Sequence, residues 1–244
     1  MGSFAVILPA AGRSTRFGDA RHKKIFAELD GRAVWLRAVE PFLNRNDVAQ
    51  ILLAIAPEDR ELFESRFRPS VVFMNIRVLE GGAERHDMVA KALELVDPAC
   101  EFVAVHDAAR PCVPPSLIDA VFRATREHGA ALPGLPVTDT LKRVDADRHA
   151  IGTVARAELV AVQTPQAFRR DWLEQAYARR HALGTAITDD AQLVEAIGHP
   201  VRIVDGSRWN LKITTPEDLQ LAEVILPFLE ASVPRGAAHP YADE

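Results

Sequence analysis

The chain has 244 residues, 48% of them apolar, and carries a net charge of −5 at neutral pH. A chain of this length buries roughly three quarters of the surface its unfolded state exposes, so a full core is available. The acidic balance excludes a broad basic face for nucleic acid. The longest apolar run, residues 4–11, is too short to span a bilayer and contains Pro9. No basic start and small-residue cleavage site marks a secretory leader. Cys100 and Cys112 fit neither a metal pattern nor a disulfide framework, which implies a reduced, cytoplasmic setting.

In chain order, the first predicted strand covers residues 5–8. Helical spacing follows at Val34–Leu43, a strand at 50–55, a helix at 58–67, a strand at 77–79, a helix at 84–96 and a strand at 102–105. The next helix, 116–128, has Ser116 as its expected N-cap and stops near Gly129. Strands alternating with helices predict an α/β fold: a mostly parallel twisted sheet flanked by helices. Ligands in such sheets bind beyond the carboxyl ends of the strands, which directs attention to the loops after Leu8, Leu79 and Val105.

Residues 138–144 and 151–154 are short and β-prone, with the polar stretch Asp145-Ala146-Asp147-Arg148-His149 between them. That is a hairpin pattern too polar for a core. Two readings stay open, an arm reaching a second subunit or a solvated β-excursion. Helical patterns at 171–183 and 189–197 precede a strand at 201–204. A last helix starts at Thr215-Pro216-Glu217-Asp218, with proline in the first turn and acids at the positive helix end. One domain over residues 1–232, with the arm at about 137–157, is expected, and the Pro-, Gly- and Ala-containing tail from Val233 is expected to be disordered.

The segment Leu8-Pro9-Ala10-Ala11-Gly12-Arg13-Ser14-Thr15-Arg16-Phe17-Gly18 combines small residues with two arginines, and His22-Lys23-Lys24 follows. Small residues let backbone N–H groups approach a phosphate or a base, and the cations supply charge. No Gly-Lys-Ser/Thr ends the loop and its glycines are too sparse for GxGxxG, which also excludes a nicotinamide-linked dehydrogenase. A triphosphate cradle and a solvated basic loop both fit this segment taken alone.

Further motifs run down the chain: AAGRSTRFG (10–18), GGAERHDMV (81–89), HDAARP (106–111), DTLKRV (139–144), VAR (154–156), QTPQAF (163–168), ITDDA (187–191) and NLKITTPEDL (210–219). In that order and spacing the chain resembles the 2-C-methyl-D-erythritol 4-phosphate cytidylyltransferases, nucleotidyltransferases with a Rossmann-like fold. The resemblance implies transfer of a cytidylyl group from CTP to 2-C-methyl-D-erythritol 4-phosphate with loss of pyrophosphate, using Mg²⁺. It implies a homodimer through the β-arm. It carries CTP binding onto Pro9, Ala10, Ala11, Gly12, Arg13, Ser14, Arg16, Lys24, Gly81, Gly82, Met88 and Asp107. Arg16 and Lys24 would stabilise charge on the α-phosphate, and Arg156 and Lys212 would hold the acceptor phosphate. Asp107 would carry the metal, and Arg110, Thr140, Thr164 and Thr188 would line the acceptor pocket with it. His106 is expected to be structural. Cations dominate because two anions must meet, and such transfer rests on positioning and charge neutralisation.

Several positions depart from the family pattern. Lys23 stands where proline is usual, Ile25 where glutamine is common, and Ser14 where there is a glycine. Ala83 takes the place of a frequent acid, and Met88 that of a serine contacting cytosine. Loss of that hydrogen bond weakens discrimination among nucleotides by about 0.5–1.5 kcal/mol, and backbone groups near Gly82 are left to read the base. Two alternatives accompany the main reading: a ribitol-5-phosphate cytidylyltransferase, and a non-catalytic nucleotide-binding partner protein. The second predicts erosion of the cations, yet Arg16, Lys24, Arg156 and Lys212 are all in place.

Overall fold

The computed structural model describes residues 2–10, 17, 23–82, 84–182 and 186–232. The tail expected to be disordered lies outside them. Strand β1 (Ser3–Pro9) leads to a 3-10 turn at Lys24–Phe26 and a small hairpin, β2 (Glu28–Leu29) with β3 (Arg32–Ala33). Then come α1 (Val34–Leu43), β4 (Val48–Ile55), α2 (Arg60–Phe73), β5 (Arg77–Glu80), α3 (Arg85–Leu93), β6 (Cys100–Val105) and α4 (Pro115–His128). The second half runs β7 (Ala130–Pro136), β8 (Leu141–Val144), β9 (Ala150–Val154), β10 (Val160–Val162), β11 (Gln166–Arg169), α5 (Arg170–Ala178), α6 (Asp190–Ala196), β12 (Arg202–Asp205) and α7 (Pro216–Ser232).

Eight strands form one sheet in the order β10-β7-β11-β6-β1-β4-β5, with β12 paired to β7. The β5, β4, β1 and β6 ladders are parallel, whereas β11 runs antiparallel to β6 and β7. β1 at the centre is buried on both faces, and its alternate residues point to opposite layers. Phe4, Val6 and Leu8 join Trp35, Phe42, Phe63, Phe67, Ile118 and Phe122 from α1, α2 and α4. Ala5 and Ile7 join Val89, Leu173, Tyr177 and Val194 from α3, α5 and α6. Phe4 and Phe122 stack with ring centroids 3.8 Å apart. Burial of each such side chain contributes roughly 1.5–3 kcal/mol. No described helix is long and apolar enough to cross a membrane.

The differences from the sequence expectations are local. Ser116 does not cap α4: the N-cap is Pro114, the helix starts at Pro115, and no side chain caps it. Proline suits this place because its missing N–H is one of the unpaired helix donors anyway. At the other end Gly129 adopts φ 86° and closes the helix through its N–H to the Thr125 carbonyl, 2.8 Å away. α2 runs past Pro69 to Phe73, because Val71 and Met74 pack against the core. α3 stops at Leu93, where Leu95 and Val96 fold into tighter turns. β7, β10 and β11 were not anticipated. β7 reads AALPGLP, whose prolines and glycine mask a strand that the sheet accommodates. The β8–β9 hairpin stands off the main sheet as its own two-stranded ribbon and is largely exposed.

Candidate active site

The parallel pairing of β5, β4, β1 and β6 sets their carboxyl ends side by side along one edge of the sheet. β6 ends at Val105, and the His106 N–H still reaches the Ile7 carbonyl at 2.9 Å. The next residues leave the ladder, and an Arg110 N–H to Asp107 carbonyl bond of 2.9 Å closes a turn that presents Asp107. Lys212 Nζ is 2.8 Å from Asp107 Oδ2, Arg85 Nε 3.2 Å from Oδ1 and Arg110 Nε 3.5 Å from Oδ2. Burial alone would raise the Asp107 carboxyl, but Arg85, Lys212 and Arg110 outweigh it and hold the group far below the usual carboxylate range.

Each cation is delivered by a different element. Arg85 opens α3 directly after the Gly81-Gly82 loop, and its Nη2 donates to Asp190 Oδ2 at 2.7 Å. Asp190 is fully buried and also accepts the Tyr177 hydroxyl at 2.5 Å. Its two partners make Arg85 a bridge between the start of α3, the β6 turn and the start of α6. Lys212 belongs to the loop before α7, which the Ile213 N–H ties to the Ala109 carbonyl at 2.8 Å. Buried Asn210 donates to the Thr164 carbonyl at 2.8 Å, and the Asn210 carbonyl accepts Arg110 Nη1 at 2.7 Å.

His106 is fully buried beneath this cluster. Burial pushes it down to about 4, against the pull of the Arg110 carbonyl towards the charged form, so the ring is neutral at physiological pH. Nε2 lies 3.1 Å from that carbonyl, which fixes Nε2 as the protonated nitrogen. Nδ1 is left to accept the Thr164 hydroxyl at 3.2 Å, and the hydroxyl oxygen accepts the Asp107 N–H at 3.0 Å. His106 and Thr164 thus hold the Asp107 backbone.

The expected residues distribute as follows. Asp107, Arg110, Lys212 and Thr164 come together. Pro9 ends β1, and Ala10 is buried with its N–H on the Ala54 carbonyl. Ala11, Gly12, Arg13, Ser14, Arg16 and Ala83 lie outside the described residues. Lys24 opens the 3-10 turn. The Gly81 N–H bonds the Ile55 carbonyl and its own carbonyl accepts Lys91 Nζ at 3.1 Å. A Cβ on Gly81 would sit 2.2 Å from Met88 Cγ, and one on Gly82 2.4 Å from Asp87 Cβ. Met88 is fully buried against Ala54, Ala56 and Leu79. Thr188 stands two residues ahead of Asp190, and its N–H and hydroxyl bond Gln192. Thr140 and Arg156 lie on the arm, exposed, and Arg156 donates to the Thr138 carbonyl. No hydrogen bond or ion pair joins Thr140, Arg156 or Thr188 to Asp107 within the described chain.

No group of three His, Cys, Asp or Glu side chains suited to a metal occurs among the described residues. A lone carboxylate fits Mg²⁺ brought in with a triphosphate, since that ion commonly takes one or two carboxylates and completes its shell with phosphate oxygens and waters. Arg85, Asp190 and Tyr177 were not assigned any chemistry from sequence, although GGAERHDMV and ITDDA contain the first two. Only the contacts made in the fold, Arg85 to Asp190 and Tyr177 to Asp190, identify the bridge.

A mostly parallel sheet flanked by helices, with Lys212, Arg85 and Arg110 gathered on Asp107 at its carboxyl edge, is an α/β nucleotidyltransferase-like fold. Residues 4–227 match the family model described as IspD: 2-C-methyl-D-erythritol 4-phosphate cytidylyltransferase. The chain is 46% identical over 239 residues to the 2-C-methyl-D-erythritol 4-phosphate cytidylyltransferase of Rhodopirellula baltica, covering 92% of this chain and 95% of that one. It is 44% identical over 223 residues to that of Frankia casuarinae, covering 91% and 80%. The crystal structure of the Thermus thermophilus cytidylyltransferase superposes with a TM-score of 0.75 at 36% identity, covering 91% of this chain and 98% of that one. The chain belongs to the 2-C-methyl-D-erythritol 4-phosphate cytidylyltransferase family.

Proposed function

We infer that this enzyme transfers the cytidylyl group of CTP to 2-C-methyl-D-erythritol 4-phosphate, giving 4-diphosphocytidyl-2-C-methyl-D-erythritol and pyrophosphate, in the non-mevalonate route to isoprenoid precursors. The observation that carries this reading is the Asp107 carboxylate ringed by Lys212, Arg85 and Arg110 at the sheet's carboxyl edge. An acceptor phosphate oxygen attacks the α-phosphorus, the bond to the bridging oxygen breaks, and its electron pair leaves with pyrophosphate. No protein nucleophile is needed. The protein's work is to hold two anions in line and neutralise the charge that develops.

In this reading Arg16 and Lys24 face the α-phosphate. Lys212 and Arg156 hold the acceptor phosphate, with Arg110, Thr140, Thr164 and Thr188 around the polyol. Asp107 would hold Mg²⁺, which would supply charge neutralisation for the CTP phosphates. Arg156 sits on an exposed arm whose Val144 and Ile151 are also exposed. Dimerisation through that arm would cover them and bring Arg156 to the partner's site. Residues 1–232 act as one domain in this scheme. The enzyme works in the cytoplasm, with no nucleic-acid or membrane partner.

Pyrophosphate release is the test, with CTP, UTP, ATP and GTP each offered 2-C-methyl-D-erythritol 4-phosphate or ribitol 5-phosphate, with and without Mg²⁺. Release with CTP and the methylerythritol acceptor, abolished by EDTA and by Lys212→Ala, is the expected result. Release with ribitol 5-phosphate alone would replace the acceptor. Silence in every pair from folded protein would leave a non-catalytic nucleotide binder.

A further inference from the structure

Lys23 lies one residue before Lys24 but does not enter the Asp107 cluster. Its ammonium turns to the end of β4, where Nζ is 2.7 Å from Asp59 Oδ2 and 3.0 Å from Glu58 Oε1. The Lys23 side chain is 13% exposed and that of Asp59 8%, which separates this contact from an ordinary surface pair. Asp59 ends the 3-10 turn Pro57–Asp59 and takes the N-cap place of α2, yet its side chain makes no capping bond. Its carboxylate points to Lys23 instead. Burial pushes the Asp59 carboxyl up and the ammonium opposes that shift, so the lysine offsets the cost of keeping a charge there.

The main chain at Lys23 is fixed as well. With φ −64° and ψ 131° it leads into the turn, and its carbonyl accepts the Phe26 N–H at 2.9 Å. Side chain and backbone together set where residue 24 begins. We propose that Lys23 is a positioning residue: its tether to Asp59 and Glu58 places Lys24 in the triphosphate site, so it acts on cytidylyl transfer through Lys24 without touching the nucleotide. This rests on the role given to Lys24 above.

The experiment compares kcat, the KM for each substrate and thermal unfolding for the full chain and five variants: Lys23→Ala, Lys23→Arg, Lys24→Ala, the double Lys23→Ala/Lys24→Ala, and Lys23→Met/Asp59→Asn. The last removes both charges at once, so no orphaned carboxylate threatens folding. A misplacement of about 1 Å can cost roughly a hundredfold in rate. Lys23→Ala and Lys23→Met/Asp59→Asn are therefore expected to lower kcat about 10- to 100-fold with the acceptor KM unchanged. Lys23→Arg should stay within about threefold of the parent, because it can still pair with Asp59. The double alanine variant should be no slower than Lys24→Ala alone, a non-additivity that a merely structural lysine would not produce. Near-normal turnover in Lys23→Met/Asp59→Asn, or a double variant slower by the full Lys23→Ala factor, overturns the tether while Lys24 keeps its role. Near-normal turnover in Lys24→Ala overturns the role of Lys24 and the tether with it.

Discussion

Replacing Arg85 by glutamine should destabilise the protein through Asp190 and not through Asp107. Arg85 donates to both carboxylates, at 2.7 Å to Asp190 and 3.2 Å to Asp107. Asp107 keeps Lys212 at 2.8 Å and Arg110 at 3.5 Å when the guanidinium goes. Among the described residues the Asp190 side chain then keeps the Tyr177 hydroxyl alone, in a position with no solvent exposure. Removing one partner of a buried ion pair costs about 3–5 kcal/mol, mostly because the other charge is left without compensation. Adding Asp190→Asn removes that charge and leaves an amide oxygen for Tyr177. The double variant should therefore regain about 2 kcal/mol or more relative to Arg85→Gln. Urea unfolding of the parent, the two single variants and the double gives the cycle at pH 7. A loss below about 1 kcal/mol in Arg85→Gln, or strict additivity of the two substitutions, would show that Asp190 does not depend on Arg85.

Three other outcomes follow from single positions. His106 is held near 4 when folded against an ordinary 6.5, so between those values the unfolded state binds more protons and stability is lost as pH falls, by on the order of 3 kcal/mol from pH 7 to pH 4. His106→Gln should flatten that share of the pH–stability curve, and parallel curves for parent and variant would refute it. Met88→Ser deletes a fully buried thioether and should cost about 2–4 kcal/mol in urea unfolding. It should also raise the CTP-over-UTP ratio of kcat/KM by up to about tenfold, as one regained hydrogen bond allows, and an unchanged ratio would show that position 88 does not read the base. Gly129→Ala forces an alanine to φ 86° and puts its Cβ 2.4 Å from the Trp172 ring, so the unfolding temperature should drop by several degrees, and an unchanged value would mean that α4 ends without that geometry.

What could be read in the sequence was whatever a single stretch of chain determines. The α1 boundaries at Val34 and Leu43 follow from helical spacing, and the Gly129 stop follows from the left-handed conformation that glycine adopts freely. Asp107 was legible because a carboxylate just beyond an apolar strand falls at the ligand edge of a parallel sheet. β7 was not, since AALPGLP carries neither alternation nor β-branched residues and becomes a strand through partners on both its edges. Arg85 and Asp190 were equally silent. They are 105 residues apart, and nothing in either stretch announces that the fold will pair the part-exposed arginine with the buried carboxylate.

The departures from the family pattern show how local physics absorbs a changed residue. Met88 stands where the family resemblance implies a serine, and its long apolar side chain lies against Ala54, Ala56 and the Cα face of Gly81. A Cβ on Gly81 would collide with it, so the thioether and the glycine fit as a pair. The Gly81 backbone is paired as well, its N–H on the Ile55 carbonyl and its carbonyl on Lys91. Lys23 introduces a charge next to the 3-10 turn, and a buried carboxylate 36 residues away takes it up. In each case the side chain is taken up by scaffold contacts, Met88 by Ala54, Ala56 and Leu79 and Lys23 by Asp59 and Glu58. Exchanging such residues singly therefore exposes a void at Met88 or an orphaned carboxylate at Asp59, whereas exchanging both members of the contact separates scaffold cost from catalytic effect.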